Sequence, residues 1–345
     1  MRAGYVWQKG HLWPEARGSA LLAALLTVAL VAAFSSQAFW QEWRSVAIEI
    51  ADRSRLETDW LLDGTHDWAR ARLRDDAQRS SAVDHAGEAW AQPVVSLPLA
   101  IFWAGEETIA GQSAADSNAS EAPPAPRVSQ QLSDAQSKLN VMNLLDGQAL
   151  SPLWLNAFDK LFEVLKLPPE QLLTLSQNLQ QVSATRSLAG VDSTASAGSA
   201  LLPQQTAQLV WLGLTPATLA ALQVHVTLLP SRTPVNLNSA SVEVLQSLLP
   251  SFKRSDAERV VALRQSKPLQ TVADAGISDL QSEGQYSVSS RFFELHTEIE
   301  SGTVSVAENA LLQRDGTSVR TLWRRRGMAT ENSWWSPSLS FQKIP

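Results

Sequence analysis

Two hydrophobic patterns follow one another at the start of the chain. From Ser19 to Trp40 it is apolar on every side and carries no charge, Gly or Pro; beyond that the apolar positions thin to Trp43, Val46/Ala47, Ile50, Leu56 and Trp60/Leu61. The first pattern predicts a helix surrounded by apolar material, the second a helix with one apolar face. Nothing between Arg17 and Asp63 breaks one from the other, so the two read as one long helix. At 1.5 Å per residue the uncharged run reaches roughly 33 Å, enough to cross a hydrocarbon layer of about 30 Å. Gly64 is the expected end of this helix, with helix-like sequence of mixed charge continuing to residue 79, read as a solvated face.

Further along, the period changes. Val94 to Leu97 and Leu99 to Trp103, parted by Pro98, read as strands with a hairpin onto Glu107 to Ile109. Gly111 to Pro126 reads as a loop and Arg127 to Asp134 as another strand. Helical spacing then returns: Leu153 to Lys166 puts Trp154, Ala157, Phe158, Leu161 and Phe162 on one stripe, and Pro168-Pro169 opens a second helix. Residues 183 to 206 read as a second loop, Gln204 to Trp211 as a short helix, and Thr215 to Leu222 as another with Thr215 as N-cap. Tyr286 to Glu300 alternates Phe293, Leu295, Thr297 and Ile299 against Glu294, His296 and Glu298. Gly302 turns it into Thr303 to Gln313, and Asp315-Gly316 signals a hairpin into Ser318 to Arg325. The expected class is α+β, with a long N-terminal helix packed on an antiparallel sheet that a helical block interrupts.

Composition narrows the function more than the fold. The formal charge is −6 over 345 residues, and there is no cysteine, which excludes disulfides, thiolate metal sites and a cysteine nucleophile. Nothing in this balance points to nucleic acid. The histidines His11, His66, His85, His225 and His296 share no ligand spacing, and no nucleophile elbow or phosphate loop occurs, so no catalytic set is assigned. Asp75, Asp76, Asp84, His85 and Glu88 match no metal-binding loop.

The leader ahead of the apolar run carries Arg2, Lys9 and Arg17 against Glu15, which keeps it on the cytoplasmic side. Trp13, Trp40 and Trp43 bracket the run as interfacial anchors do. A secretory signal cut near Ser36-Gln37-Ala38, a plain anchor, and a segment cut on its cytoplasmic side all remain open here. A removed signal, however, has no use for an amphipathic extension. Arg17-Gly18-Ser19 ahead of this run resembles the prepilin-peptidase site of type IV pilins and type II secretion pseudopilins, with cleavage after Gly18. Most of that superfamily carries a glutamate at the fifth position after the cut, where this chain has Ala23. Its absence resembles the K class, the large minor pseudopilin, general secretion pathway protein K.

A second motif supports the same class. Thr233-Pro-Val-Asn236-Leu-Asn238-Ser239 resembles the Asn-x-Asn turn that opens a helix in K-class pseudopilins, and Asn238 or Ser239 is the expected cap for a stripe of Val242, Leu245 and Leu248. Asp134 to Asn140 is similar to the start of the family's α-domain, with Met142 in place of a second Asn. The rival is a helix-hairpin-helix DNA module over Asn236 to Arg264, but Pro250 to Asp256 lacks the Gly-x-Gly hairpin such modules use.

The resemblance implies a pilin-like fold divided as 1–18 leader, 19–40 transmembrane helix, 41–135 helix and first strands, 136–282 inserted all-helical α-domain, 283–327 β meander and 328–345 tail. It implies a non-enzymatic subunit at the pseudopilus tip. Its partners would be minor pseudopilins of the I and J classes, the inner-membrane secretion platform and the prepilin peptidase. The chain would cross the bacterial inner membrane once, with its globular part in the periplasm. K-class members can bind calcium on clustered carboxylates in the α-domain. Between Gln171 and Arg232 this chain has only Asp192, so no cofactor is expected.

Overall fold

The computed structural model describes residues 16–79, 83–99, 102, 125–189, 202–248, 253–276, 284–301 and 304–328. The chain divides into two compact units, Met1–Trp60 and Leu61–Pro345. In the first, helix α1 (Ala16–Arg79) begins, and its large apolar side chains from Leu21 to Trp43 stand exposed. The helix is long and apolar enough to cross a membrane. Water is a poor solvent for such a surface, at roughly 25 cal/mol for each Å². Trp40 and Trp43 lie with ring centroids 5.5 Å apart near the end of the run.

Gly64 does not end the helix: α1 passes through it to Arg79. A mid-helix glycine costs about 1 kcal/mol relative to alanine. The turns on either side offset that cost, because Leu62, Thr65, His66, Ala69 and Leu73 form a stripe that is buried in the second unit. That stripe meets a five-stranded antiparallel sheet ordered β1-β2-β9-β10-β11. Its strands are β1 (Val94–Pro98), β2 (Arg127–Asp134), β9 (Phe292–Ser301), β10 (Val304–Asp315) and β11 (Ser318–Met328). Ala69 and Leu73 pack with Leu132, Phe293, Leu295, Leu312 and Val319, and Trp90 closes this layer edge-on to Phe293 at 5.0 Å.

Of the strand expected from Leu99 to Trp103, the two described residues, Leu99 and Phe102, are helical, and the others lie outside the described residues. Pro98 has no N–H to continue a ladder, and Phe102 instead turns into a pocket with Leu62, Val128 and Ile299, 4.6 Å from the Trp68 ring. The hairpin onto Glu107–Ile109 and the tail beyond Met328 lie outside the described residues. The Asp315-Gly316 signal does mark a hairpin. Asp315 pairs with Ser318, and Gly316 opens the two-residue loop at φ +55, which glycine adopts without strain.

The sheet is a meander in which each strand pairs with the next long one. One link is unusual: β2 and β9 run side by side from Arg127↔Glu300 to Asp134↔Phe293, and residues 135–291 make the connection. Loop closure costs only about 0.6 kcal/mol per doubling of length, so a domain can sit in a hairpin if its ends lie close together. The insert holds helices α2 (Pro152–Val164), α3 (Pro169–Ala189), α4 (Pro216–Leu222), α5 (Val242–Leu248) and α6 (Arg254–Ser266). Trp154, Ala157, Phe158, Leu161 and Phe162 are buried as their stripe predicts, against Leu175, Leu179, Val244 and Leu248. Thr215 caps α4, its Oγ1 accepting the Thr218 N–H at 3.3 Å.

Two boundaries differ from the pattern. α3 continues to Ala189 where a loop was expected from residue 183, and Gln204 to Trp211 becomes a 3-10 turn over Thr206–Leu212 that Gly213 ends at φ +97. Beside the helices, two-residue parallel ladders join β3 (Leu139–Asn140) to β6 (Val226–Thr227) and β7 (Val235–Asn236) to β8 (Tyr286–Ser287), and an antiparallel one joins β4 (Leu145–Asp146) to β5 (Ala149–Leu150). Phe293→Ala is expected to lower unfolding stability by about 3–5 kcal/mol, the range for a large core truncation, read as a shifted midpoint in urea denaturation.

Candidate functional site

Where the insert leaves and rejoins the sheet, polar side chains are buried together. β2 ends on Asp134, 5% exposed, and its carboxylate Oδ1 accepts the Gln136 N–H at 2.7 Å, so it caps the turn that starts the insert. Oδ2 accepts from Asn236 Nδ2 at 2.8 Å, from Ser290 Oγ at 2.7 Å and from the Ser239 hydroxyl. Asn236, fully buried, also donates to the Asp84 carbonyl at 3.0 Å. One carboxylate thus joins the last residue of β2, the Asn-x-Asn turn and the approach to β9.

The Asn-Leu-Asn stretch is pinned at almost every polar atom. Leu237 N–H donates to the Ser287 carbonyl, and Asn238 N–H donates to Asn236 Oδ1. The Asn238 amide exchanges two bonds with the Leu269 backbone, at 3.0 and 2.9 Å. Arg264 Nη1 donates to the Leu237 carbonyl at 2.6 Å, and burial pulls its pKa down to about 10. Neither Asn238 nor Ser239 caps α5. That place belongs to Ser241, whose Oγ accepts the Val244 N–H at 3.3 Å, while the two expected caps turn inward to hold the junction. Asn140 does parallel work at the start of the insert, donating to the Ser231 carbonyl and accepting from the Met142 and Leu229 N–H groups.

Burial pushes the Asp134 carboxyl up to about 6, with its four hydrogen bonds pulling the other way. A carboxyl raised in this way adds stability that is full below the unfolded value of about 3.9 and fades as pH rises through about 6. Sequence reasoning missed Asp134, Asp84 and Ser290 as partners of Asn236. Their separations of 102, 152 and 54 positions leave no local signal.

The remaining predicted residues fall elsewhere in the chain. Arg17 and Gly18 lie in the first turn of α1, and Ser19 and Ala23 are exposed on it. Asp76, expected on a solvated helix face, is 14% exposed, Asp84 is 3% exposed, and both bond Arg314. Of the histidines, His66 Nε2 lies 2.6 Å from Thr321 Oγ1, and burial, then Arg324, lower its pKa. His225 faces Ser241 Oγ at 3.4 Å. The hairpin of the rival DNA module lies partly outside the described residues, since 249–252 are not among them.

The family described as type II secretion system (T2SS), protein K, matches residues 235–289. This chain is similar to protein K. The protein K match runs from β7 to the approach of β9, so it contains Asn236, Asn238 and Ser239. Among solved structures, a chain of the GspK-GspI-GspJ complex from the enterotoxigenic Escherichia coli Type 2 Secretion System has the same fold. Its TM-score is 0.58 at 19% identity, over 80% of this chain and 99% of that one. No curated protein matches. The resemblance to protein K read from the sequence therefore stands, and so does the pilin-like α+β fold.

Asn236→Ala should cost about 2–3 kcal/mol, because it leaves a buried carboxylate short of a donor. The loss should be greater at about pH 7 than below about pH 4, where Asp134 carries a proton and needs fewer donors. Urea denaturation at the two pH values checks both statements.

Proposed function

We propose that this chain is a minor pseudopilin of the K class in a type II secretion system, with a structural rather than catalytic role. The observation that carries the reading is the position of the protein K match: residues 235–289 build the junction between a pilin-like helix and sheet and a helical insert. The apolar helix from Ser19 anchors the chain once in the inner membrane, and the globular part lies in the periplasm. Prepilin peptidase cuts after Gly18.

The similar solved chain comes from a complex of GspK, GspI and GspJ. By that likeness the partners here are the I- and J-class minor pseudopilins, and the inner-membrane platform is a further proposed partner. Helices packed side by side would form the stalk, and the insert would cover the top, so that no further subunit adds above it. Ala23 has no carboxylate to pair with the amino terminus of a neighbour, and a charge within hydrocarbon is tolerated only when paired. A subunit without that pair is suited to begin a filament at its tip.

Mass spectrometry of the chain coexpressed with a prepilin peptidase should find residues 1–18 removed, which takes away three basic residues and one acidic and leaves a formal −8 from −6. Gly18→Ala should remain uncut. Wild-type processing of that variant, or a cut after Ala38, would sink the reading. Copurification of the processed chain with I- and J-class subunits tests the partners.

A further inference from the structure

A second buried polar cluster lies beside the junction, and it gathers charge that the proposed function leaves unused. Asp76 stands in the last turn of α1, Asp84 and Glu88 in the segment that follows, and their carboxylate oxygens all lie within 4.8 Å of one another. Arg314 on β10 reaches into this group. Its Nη1 donates to Asp76 at 2.7 Å, and its Nη2 donates to both Asp84 oxygens at 2.5 and 2.6 Å and to the Ser290 carbonyl at 3.1 Å. The guanidinium sits 4.8 Å over the Phe293 ring and is 12% exposed.

The cluster is joined to the insert through Asp84. That residue accepts the Ser290 N–H on Oδ2, and its carbonyl accepts from Asn236. Arg314 therefore ties together the end of α1, the 83–91 segment and the junction at the base of the insert. Among the described residues, carboxylates outnumber guanidinium groups here. Arg314 reaches the cluster from the sheet, and Arg72 on α1 donates to the Ala89 carbonyl next to Glu88 and lies 4.5 Å over the Trp68 ring. Against them stand three carboxylates. The other titratable neighbour, His85, donates its backbone N–H to Glu88 Oε2, which Trp90 Nε1 also reaches at 2.7 Å.

We propose that this cluster is a proton-sensitive latch: taking up one proton closes the 83–91 segment onto α1 and the sheet, and losing it loosens that segment and, through Asp84, the base of the insert. Like charges a few ångströms apart out of bulk water repel strongly, and a proton removes the excess without displacing Arg314 from Asp84. Asp76 is the group placed to take it. Burial and then Glu88 push its carboxyl up to about 6 against the pull of Arg314. A carboxyl raised in this way favours the closed form at low pH, and the contribution is lost as pH rises through about 6. The proposal stands whether or not the chain is a pseudopilin, since it rests on the globular part alone.

Hydrogen exchange of the full chain in detergent micelles, corrected for intrinsic rates, tests it at about pH 5 and about pH 7.5. Protection in peptides covering 83–91 and 284–291 should fall about tenfold between the two, a shift of this size being discounted for the partial exposure of Asp76. Asp76→Asn, a neutral mimic of the protonated form, should hold both peptides near their acid-side protection at either pH. Equal protection of the wild type at both pH values overturns the latch. A pH difference that persists undiminished in Asp76→Asn also overturns it. Should Asp76→Asn fail to fold, Glu88→Gln removes the same excess charge from the other side. It should raise protection at the higher pH, and an unchanged value there counts against the latch.

Discussion

Residues 135–291 have to leave and rejoin the sheet through a single gap between neighbouring strands, about 4.8 Å wide. The rest of the structure depends on how that gap is closed. The β2–β9 ladder stops at the pair Asp134↔Phe293, and buried backbone groups beyond it need other partners. Side chains take over. Asp134 at the end of β2, Ser290 ahead of β9 and Asn236 from the turn between them meet on one carboxylate, and the two-residue ladder of Val235–Asn236 with Tyr286–Ser287 extends the closure into the insert.

A buried carboxylate with several donors contributes less to net stability than its hydrogen bonds suggest, because its desolvation opposes them. What it adds here is geometry. Four donors converge on Asp134 from three parts of the chain, so a rotation of the insert about the β2–β9 stem breaks several bonds at once. An apolar cluster of Ala135, Leu229, Phe292 and Leu311 fills the space beside it without imposing a direction. Glu308 plays a similar part under α1. It is 2% exposed, accepts from Arg324 and Arg326 and lies 3.7 Å from His66, which holds the helix to the far end of the sheet.

The N-terminal helix was legible because its signal is local and long. An uncharged run with a basic leader has few other uses, and the amphipathic continuation follows from spacing alone. The strand Arg127–Asp134, the stripe from Trp154 to Phe162 and the Asp315-Gly316 hairpin were legible for the same reason. Each is a pattern within a dozen residues. Gly64 and Leu99 misled because their local preferences were outweighed: the sheet buries the turns around Gly64, and an apolar pocket receives Phe102.

The sequence alone determined an N-terminal helix long and apolar enough to cross a membrane, the kind of layers and a motif at Asn236-Leu-Asn238 whose capping role was misjudged. Only the tertiary structure decided what that motif does. Asn238 and Ser239 have the right chemistry for a cap, but Ser241 stands nearer the first turn, and the earlier side chains are needed by Leu269 and Asp134. It likewise decided that Asp76 and Asp84 face Arg314 instead of water. A side chain's partners across more than a hundred residues depend on how strands and helices are stacked. Periodicity along the chain records which face is apolar, and it does not record what that face meets.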